Sequence, residues 1–213
     1  MNAPSKDHAD LVAESRERLL QRAKREDLVT VGYSVLDSPL GPLWAAVGPR
    51  GVATISYGGA PDARELRRLV AVFGPGIVPD RRATDELERE LDQYFEGKRR
   101  EFAVAFDLTG LTPFYRAILR ATAKVPYGRV TTYAAVARRA GNERASRAAG
   151  GALSWNPIPI VVPCHRVVAT DGSLSGYAGG LDAKRRLLAL ERGEAPEGGW
   201  PSQRGLTRGR RAS

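Results

Sequence analysis

Apolar positions change their spacing several times along this chain, and each change marks an element. Over residues 31–57, "VGYSVLDSPLGPLWAAVGPRGVATISY", β-rich runs are punctuated by "DSPLG" and "GPRG", which predicts strands joined by tight turns. Over 62–73, "DARELRRLVAVF", the period becomes helical, with Asp62 as cap and Gly74 and Pro75 as the stop. Over 84–96, "TDELERELDQYFE", the same period predicts a second helix with Thr84 at the N-cap and Gly97 past its end. "EFAVAFDL" then alternates as a strand does. After "TGLTP", Thr112 caps a helix with Pro113 at its first position, followed by Ile118, Leu119, Ala121 and Val125 at helical spacing. "TTYAAVARRAG" and "NERASRAAGGALSWN" hold two short helices on a tight turn, the outline of a helix-turn-helix. "GGLDAKRRLLALERG" is a last helix, with Asp182 at its start and Gly193 beyond its end.

This pattern divides the chain. Residues 1–28 form a polar leader, helical or unfolded, with a weak stripe of Leu11, Val12, Leu19 and Leu20 that would let it dock on the body. Residues 29–109 form an α/β domain and 112–193 a mostly helical one, within the usual domain sizes. Residues 194–213 are rich in Gly, Pro and Arg and read as a basic, unfolded tail.

Charge sharpens the division. The net charge is +9, and residues 112–192 carry thirteen basic against four acidic side chains, so the excess sits in the second domain. A basic segment beside a near-neutral one points to a polyanionic partner, with plain solubility as the competing explanation. No aliphatic run is long enough to span a bilayer, and the N-terminus lacks the apolar core of a secretory signal. A cytoplasmic protein without membrane contact is expected. One cysteine and two histidines cannot complete a closed thiolate–imidazole zinc site, so neither metal nor cofactor is expected.

The single cysteine lies in "PIVVPCHRVV", residues 159–168. A lone Cys is most often core packing. Here Pro163 removes a backbone donor and biases Val162 to an extended conformation, while His165 and Arg166 follow at once. Cationic neighbours lower a thiol pKa and supply thiolate, the working nucleophile. In a strand, adjacent side chains face opposite ways, so His165 reaches the Cys164 thiol only in a turn or through a water. Glu191 on the last helix is a candidate for orienting the imidazole.

"IPIVVPCHRVV" resembles the active-site signature of the O6-alkylguanine-DNA alkyltransferases. "VPYGRVTTYAAVARRAG", "SRAAGGALSWNPIPI", "GSLSGYAGG" and "KRRLLALE" follow that family's order and spacing over roughly residues 112–192. The first domain is similar only in outline, chiefly at "SPLGPL". The resemblance implies an α+β fold: a ribonuclease-H-like α/β domain, then a winged helix-turn-helix-like domain carrying the active site. It implies direct transfer of an alkyl group from O6-alkylguanine in double-stranded DNA to Cys164, by a monomer that acts once.

The resemblance also distributes roles. Cys164 would attack the alkyl carbon as thiolate from an extended strand, His165 would be its base through a water, and Glu191 would polarise His165. Asn156 would brace the turn, and Tyr133 would help rotate the nucleotide and protonate the leaving base. Arg147 would fill the vacated stack, with Tyr133, Ala148, Gly150 and Gly151 against the DNA. Val167, Tyr177, Ala178, Pro159 and Leu153 would form the substrate pocket, the carbonyls of Cys164 and Val167 accepting from the guanine amino group. The chain departs from the pattern at Tyr115 and Ile118, at Ala178 where some relatives carry Ser, and at Trp155, which either packs on the first domain or faces DNA. Two other readings compete. Non-enzymatic lesion binders of the alkyltransferase-like type lack the acceptor cysteine. A Cys-His hydrolase needs its base placed directly on the thiol, which the adjacent positions disfavour.

Overall fold

A computed structural model describes residues 6–26 and 28–194. The chain opens with helix α1 (Lys6–Arg25), whose i,i+4 pairs Arg18–Glu14 and Arg22–Glu26 support it on its own surface. Leu11 and Leu19 are exposed there, while the side chains of Val12 and Leu20 lie outside the described residues, as does the 195–213 segment.

Strands β1 (Val31–Leu36), β2 (Leu43–Gly48) and β3 (Gly51–Tyr57) form an antiparallel meander. Helix α2 (Ala63–Phe73) follows, and β4 (Ile77–Pro79) then adds in parallel beside β1, giving the order β3-β2-β1-β4. Both faces of this sheet are covered, and the strand sequences show why. Along β2, Leu43 and Ala45 enter one apolar cluster, whereas Trp44 and Ala46 enter another with Leu69 of α2. Helix α3 (Arg81–Phe95) covers the first face with Leu87, Leu91, Tyr94 and Phe95.

Two expectations need correction here. Helix α3 starts at Arg81, not Thr84; Asp80 holds the N-cap, its N–H bonded to the Tyr33 carbonyl within β1. Thr84 is instead buried in the first turn, bonding the Arg81 carbonyl and the Ser34 hydroxyl. "EFAVAFDL" is no strand apart from one bridge between Phe106 and Val52. Its alternation is real, since Phe102, Val104 and Phe106 pack on the core, but its amides are taken elsewhere. Ala103 and Val104 donate to the buried carboxylate of Glu90, which leaves little ladder to build.

The second half is helical. Thr112 caps α4 (Pro113–Ala123), accepting from the Tyr115 N–H, with Pro113 where its missing donor costs nothing. Strand β5 (Thr131–Thr132) leads into α5 (Tyr133–Arg139), capped by Thr132. A tight turn connects α5 to α6 (Ser146–Ser154), and α4 packs on both. Strand β6 (Val167–Val168) pairs with β5 in parallel, and α7 (Gly180–Glu191) closes the fold. One contiguous core runs from Leu36 and Leu43 of the sheet through Ile118, Val136 and Ala149 to Leu187. No described helix is long and apolar enough to cross a membrane.

Candidate active site

The signature segment is a turn. Cys164–Arg166 form one turn of 3-10 helix, entered through Pro163 and left through the extended Val167. This corrects the extended-strand reading. The segment before it kinks at Ile160, whose φ of 74° is left-handed, and only Pro159 and Val162 touch as a bridge.

Asn156 ties the turn together. Its Nδ2 donates to the Val162 carbonyl at 2.8 Å and to Cys164 Sγ at 3.1 Å, while its Oδ1 accepts from the Ile158 N–H at 3.0 Å. Asn156 therefore holds one thiol and two backbone groups together. Burial pushes the Cys164 thiol up to about 11, against smaller opposing effects of the Asn156 bond and the Lys184 charge. The expectation that His165 and Arg166 would lower it fails, because both turn away towards Glu191.

Glu191 is a hub. Arg166 grips it through Nε and Nη2 at 2.8 to 3.0 Å, and His165 Nε2 meets Oε1 at 2.8 Å. The Gly128 N–H donates to Oε2 at 3.0 Å, from a turn whose φ of 69° suits glycine. Tyr94 of α3 donates its hydroxyl to Oε1 at 2.7 Å. Although burial opposes ionisation, His165 and Arg166 hold the carboxyl down at about 2. His165 is fully buried, and desolvation lowers its pKa despite Glu191. Because Nε2 faces the carboxylate, the proton belongs there and Nδ1 carries the lone pair. That Nδ1 is buried without a hydrogen-bond partner among the described residues.

Lys184 lies beside this cluster, fully buried, with Nζ donating to the Val167 carbonyl at 2.6 Å and the Ser175 carbonyl at 2.9 Å. It has no carboxylate partner among the described residues, and desolvation lowers its pKa. With Arg166 offset by Glu191, a thiolate at Cys164 would bring the buried charge close to zero.

The other candidate residues separate into two groups. Tyr177 stands edge-on to the His165 ring at 6.3 Å, and Val167, Pro159 and Leu153 are buried nearby. Ala178 is exposed and, with Asn156, lines a cavity of about 560 Å³ between the domains that Cys164 itself does not line. Tyr133, at the start of α5, accepts from the Ser175 hydroxyl at 3.0 Å. Arg147, Ala148 and Gly151 are exposed on α6, Gly150 lies under the Tyr133 ring, and Arg147 has no ion-pair partner among the described residues. Trp155 packs on the first domain: the Arg64 guanidinium sits 3.2 Å from the centre of its ring.

Several site residues carried no signal in the sequence. The Thr54 hydroxyl and the Ile55 N–H of β3 both donate to the Pro157 carbonyl, at 2.9 and 2.8 Å. The Tyr57 and Tyr177 hydroxyls meet at 2.8 Å. A Cβ at Gly179 would lie 2.7 Å from the Tyr57 ring, so any side chain at that loop position would have to displace the ring.

The fold and site define a two-domain α+β protein that buries one thiol and a histidine–carboxylate pair under a helix-turn-helix. The chain belongs to the 6-O-methylguanine DNA methyltransferase family: residues 31–108 match its ribonuclease-like domain and 113–193 its DNA-binding domain. It is similar to the methylated-DNA–protein-cysteine methyltransferase of Mycobacterium tuberculosis H37Rv, with 39% identity over 78% of this chain and 95% of that protein. The protein of that name from Methanosarcina acetivorans is 36% identical over 75% and 97%. Among solved structures, Mycobacterium tuberculosis OGT in complex with DNA aligns with TM-score 0.67 and 36% identity, over 78% of this chain and 95% of that one.

Proposed function

We propose that this protein repairs alkylated DNA by moving the alkyl group from O6 of guanine to Cys164, once per molecule. The observation that carries the reading is the Asn156–Cys164 contact beside a His165–Glu191 pair whose Nδ1 is left open. The Cys164 proton passes to His165 Nδ1 through a water, and Glu191 steadies the imidazolium at Nε2. The Sγ–carbon bond then forms as the carbon–O6 bond breaks, and its electrons leave with guanine. Tyr133 protonates the departing base; its hydroxyl accepts from Ser175, which leaves its own proton free to give.

DNA is the partner of the helix-turn-helix. The target base leaves the stack to reach the thiol, because its O6 substituent is inaccessible inside the duplex. Arg147, Ala148, Gly150 and Gly151 on α6, with Tyr133, form the DNA face, and Arg147 fills the space the base vacates. Val167, Tyr177, Ala178, Pro159 and Leu153 surround the extruded base. The thioether is stable and the chain has no second thiol, so nothing regenerates Cys164. A lone thiol suits a reducing compartment, and we place the protein in the cytoplasm, as a monomer without membrane contact.

The test is a mass measurement. On mixing with a short duplex containing O6-methylguanine, the Cys164 peptide should gain one methyl group, in one-to-one stoichiometry. Tight binding without a gain in mass would favour a lesion-binding module instead.

A further inference from the structure

Tyr94 belongs to α3, in the ribonuclease-like half, yet its hydroxyl ends inside the reaction centre of the other half. It is fully buried, donates to Glu191 Oε1 at 2.7 Å and lies 3.4 Å from His165 Nε2. Its ring is wedged among Phe95, Phe102 and Tyr127 at 5.3 to 6.0 Å, so the hydroxyl has little freedom to point elsewhere. We infer that Tyr94 is a positioning residue for His165, acting through Glu191 to set how strongly the carboxylate holds the Nε2 proton. The inference rests on alkyl transfer being the reaction, with His165 as its base.

Glu191 Oε1 receives Tyr94, His165 and Arg166 together, so each donor weakens the hold of the others. Burial and the Glu191 charge keep the phenol protonated far above neutrality, making it a permanent donor. Each hydrogen bond that Tyr94 gives the carboxylate lessens its pull on the imidazolium. The groups facing His165 are Glu191 and Lys184 from α7, Arg166 and Cys164 from its own turn, Tyr94 from α3, and Tyr177 from the loop before α7. Among these Tyr94 is the one that bonds Glu191 from the ribonuclease-like half. The ribonuclease-like half thereby tunes the base of the reaction.

The experiment follows the ring nitrogens of His165 by 15N NMR in the full-length protein, where the one other histidine is His8. The same samples are assayed for alkyl transfer from free O6-benzylguanine across pH 5 to 9. In Tyr94→Phe the His165 midpoint should rise by roughly 0.5–1 pH unit, since a neutral donor to the carboxylate is lost. The acid limb of the transfer rate should move up with it. A ring-fluorinated tyrosine at position 94 keeps the shape and strengthens the donor, so it should move both midpoints down. If both variants titrate with the wild type, the inference is overturned, whatever happens to plateau rate or melting temperature. A wild-type protein that acquires no alkyl group removes the reaction, and the role inferred for Tyr94 with it; the NMR midpoints score the coupling separately.

Discussion

At the scale of the residue, the site is organised by side chains that each hold several partners at once. Asn156 is the clearest case, holding a thiol, a carbonyl and an N–H across one tight turn. In Asn156→Ala, the buried Ile158 N–H loses its partner, while the Val162 carbonyl keeps only the Cys164 N–H, which should cost roughly 1–3 kcal/mol of stability. The thiol would also lose a donor that favours its ionised form, so alkyl transfer should slow by more than tenfold. Urea denaturation and single-turnover kinetics check the two effects separately. The sequence made Cys164, His165, Glu191 and Asn156 legible through their joint pattern, but it misled about the thiol. Adjacency in sequence suggested that His165 and Arg166 would activate Cys164, whereas the 3-10 turn sends both to Glu191 and leaves burial in control. Tyr94, Tyr57, Thr54 and Lys184 were illegible because nothing in their local sequence distinguishes them. The first three meet their partners some hundred positions away, and Lys184 reads as one of three consecutive bases on a helix.

At the scale of the element, local chemistry was mostly readable. Asp62, Thr112 and Pro113 stand where the capping rules put them, since a cap needs only its own next three residues. Thr84 failed as a cap because its hydroxyl is spent on β1 and α3 together, a tertiary demand with no local mark. Helix α6 carries the more telling anomaly, two adjacent glycines. Among the described residues nothing crowds Gly151, and Gly150 has only ordinary contact with Tyr133. The described fold does not require both, which accords with the close approach to DNA proposed for this face. Gly151→Ala should raise stability by about 0.5–1 kcal/mol through helix propensity. The same change should weaken binding to duplex DNA. Thermal unfolding and a fluorescence titration would register opposite signs; unchanged DNA affinity would remove Gly151 from the interface.

At the scale of the whole molecule, stability should depend on pH through the buried site. Below about 6.5 the unfolded chain takes up a proton at His165 that the folded protein resists, so stability falls as pH falls. Between 4.5 and about 2 the carboxyl of Glu191 adds a second loss, because the folded state keeps it ionised. Above 9.0 the unfolded chain releases the Cys164 proton, which the folded protein keeps to about 11, so stability falls again as pH rises. Guanidinium denaturation at a series of pH values should show a plateau between roughly 6.5 and 9. At this scale the sequence showed two domains but not their seam. The hydrophobic pattern reports which residues are buried, not which domain buries them. The seam has a practical consequence. The interval between the two family matches, residues 109–112, looks like a ready crossover point for recombining one homologue with another. Thr54, Tyr57 and Tyr94 lie on one side of it, and Pro157, Tyr177 and Glu191 on the other. A chimaera cut there inherits one member of each pair from one parent and its partner from the second, so matching these pairs, rather than overall similarity, should decide which hybrids work.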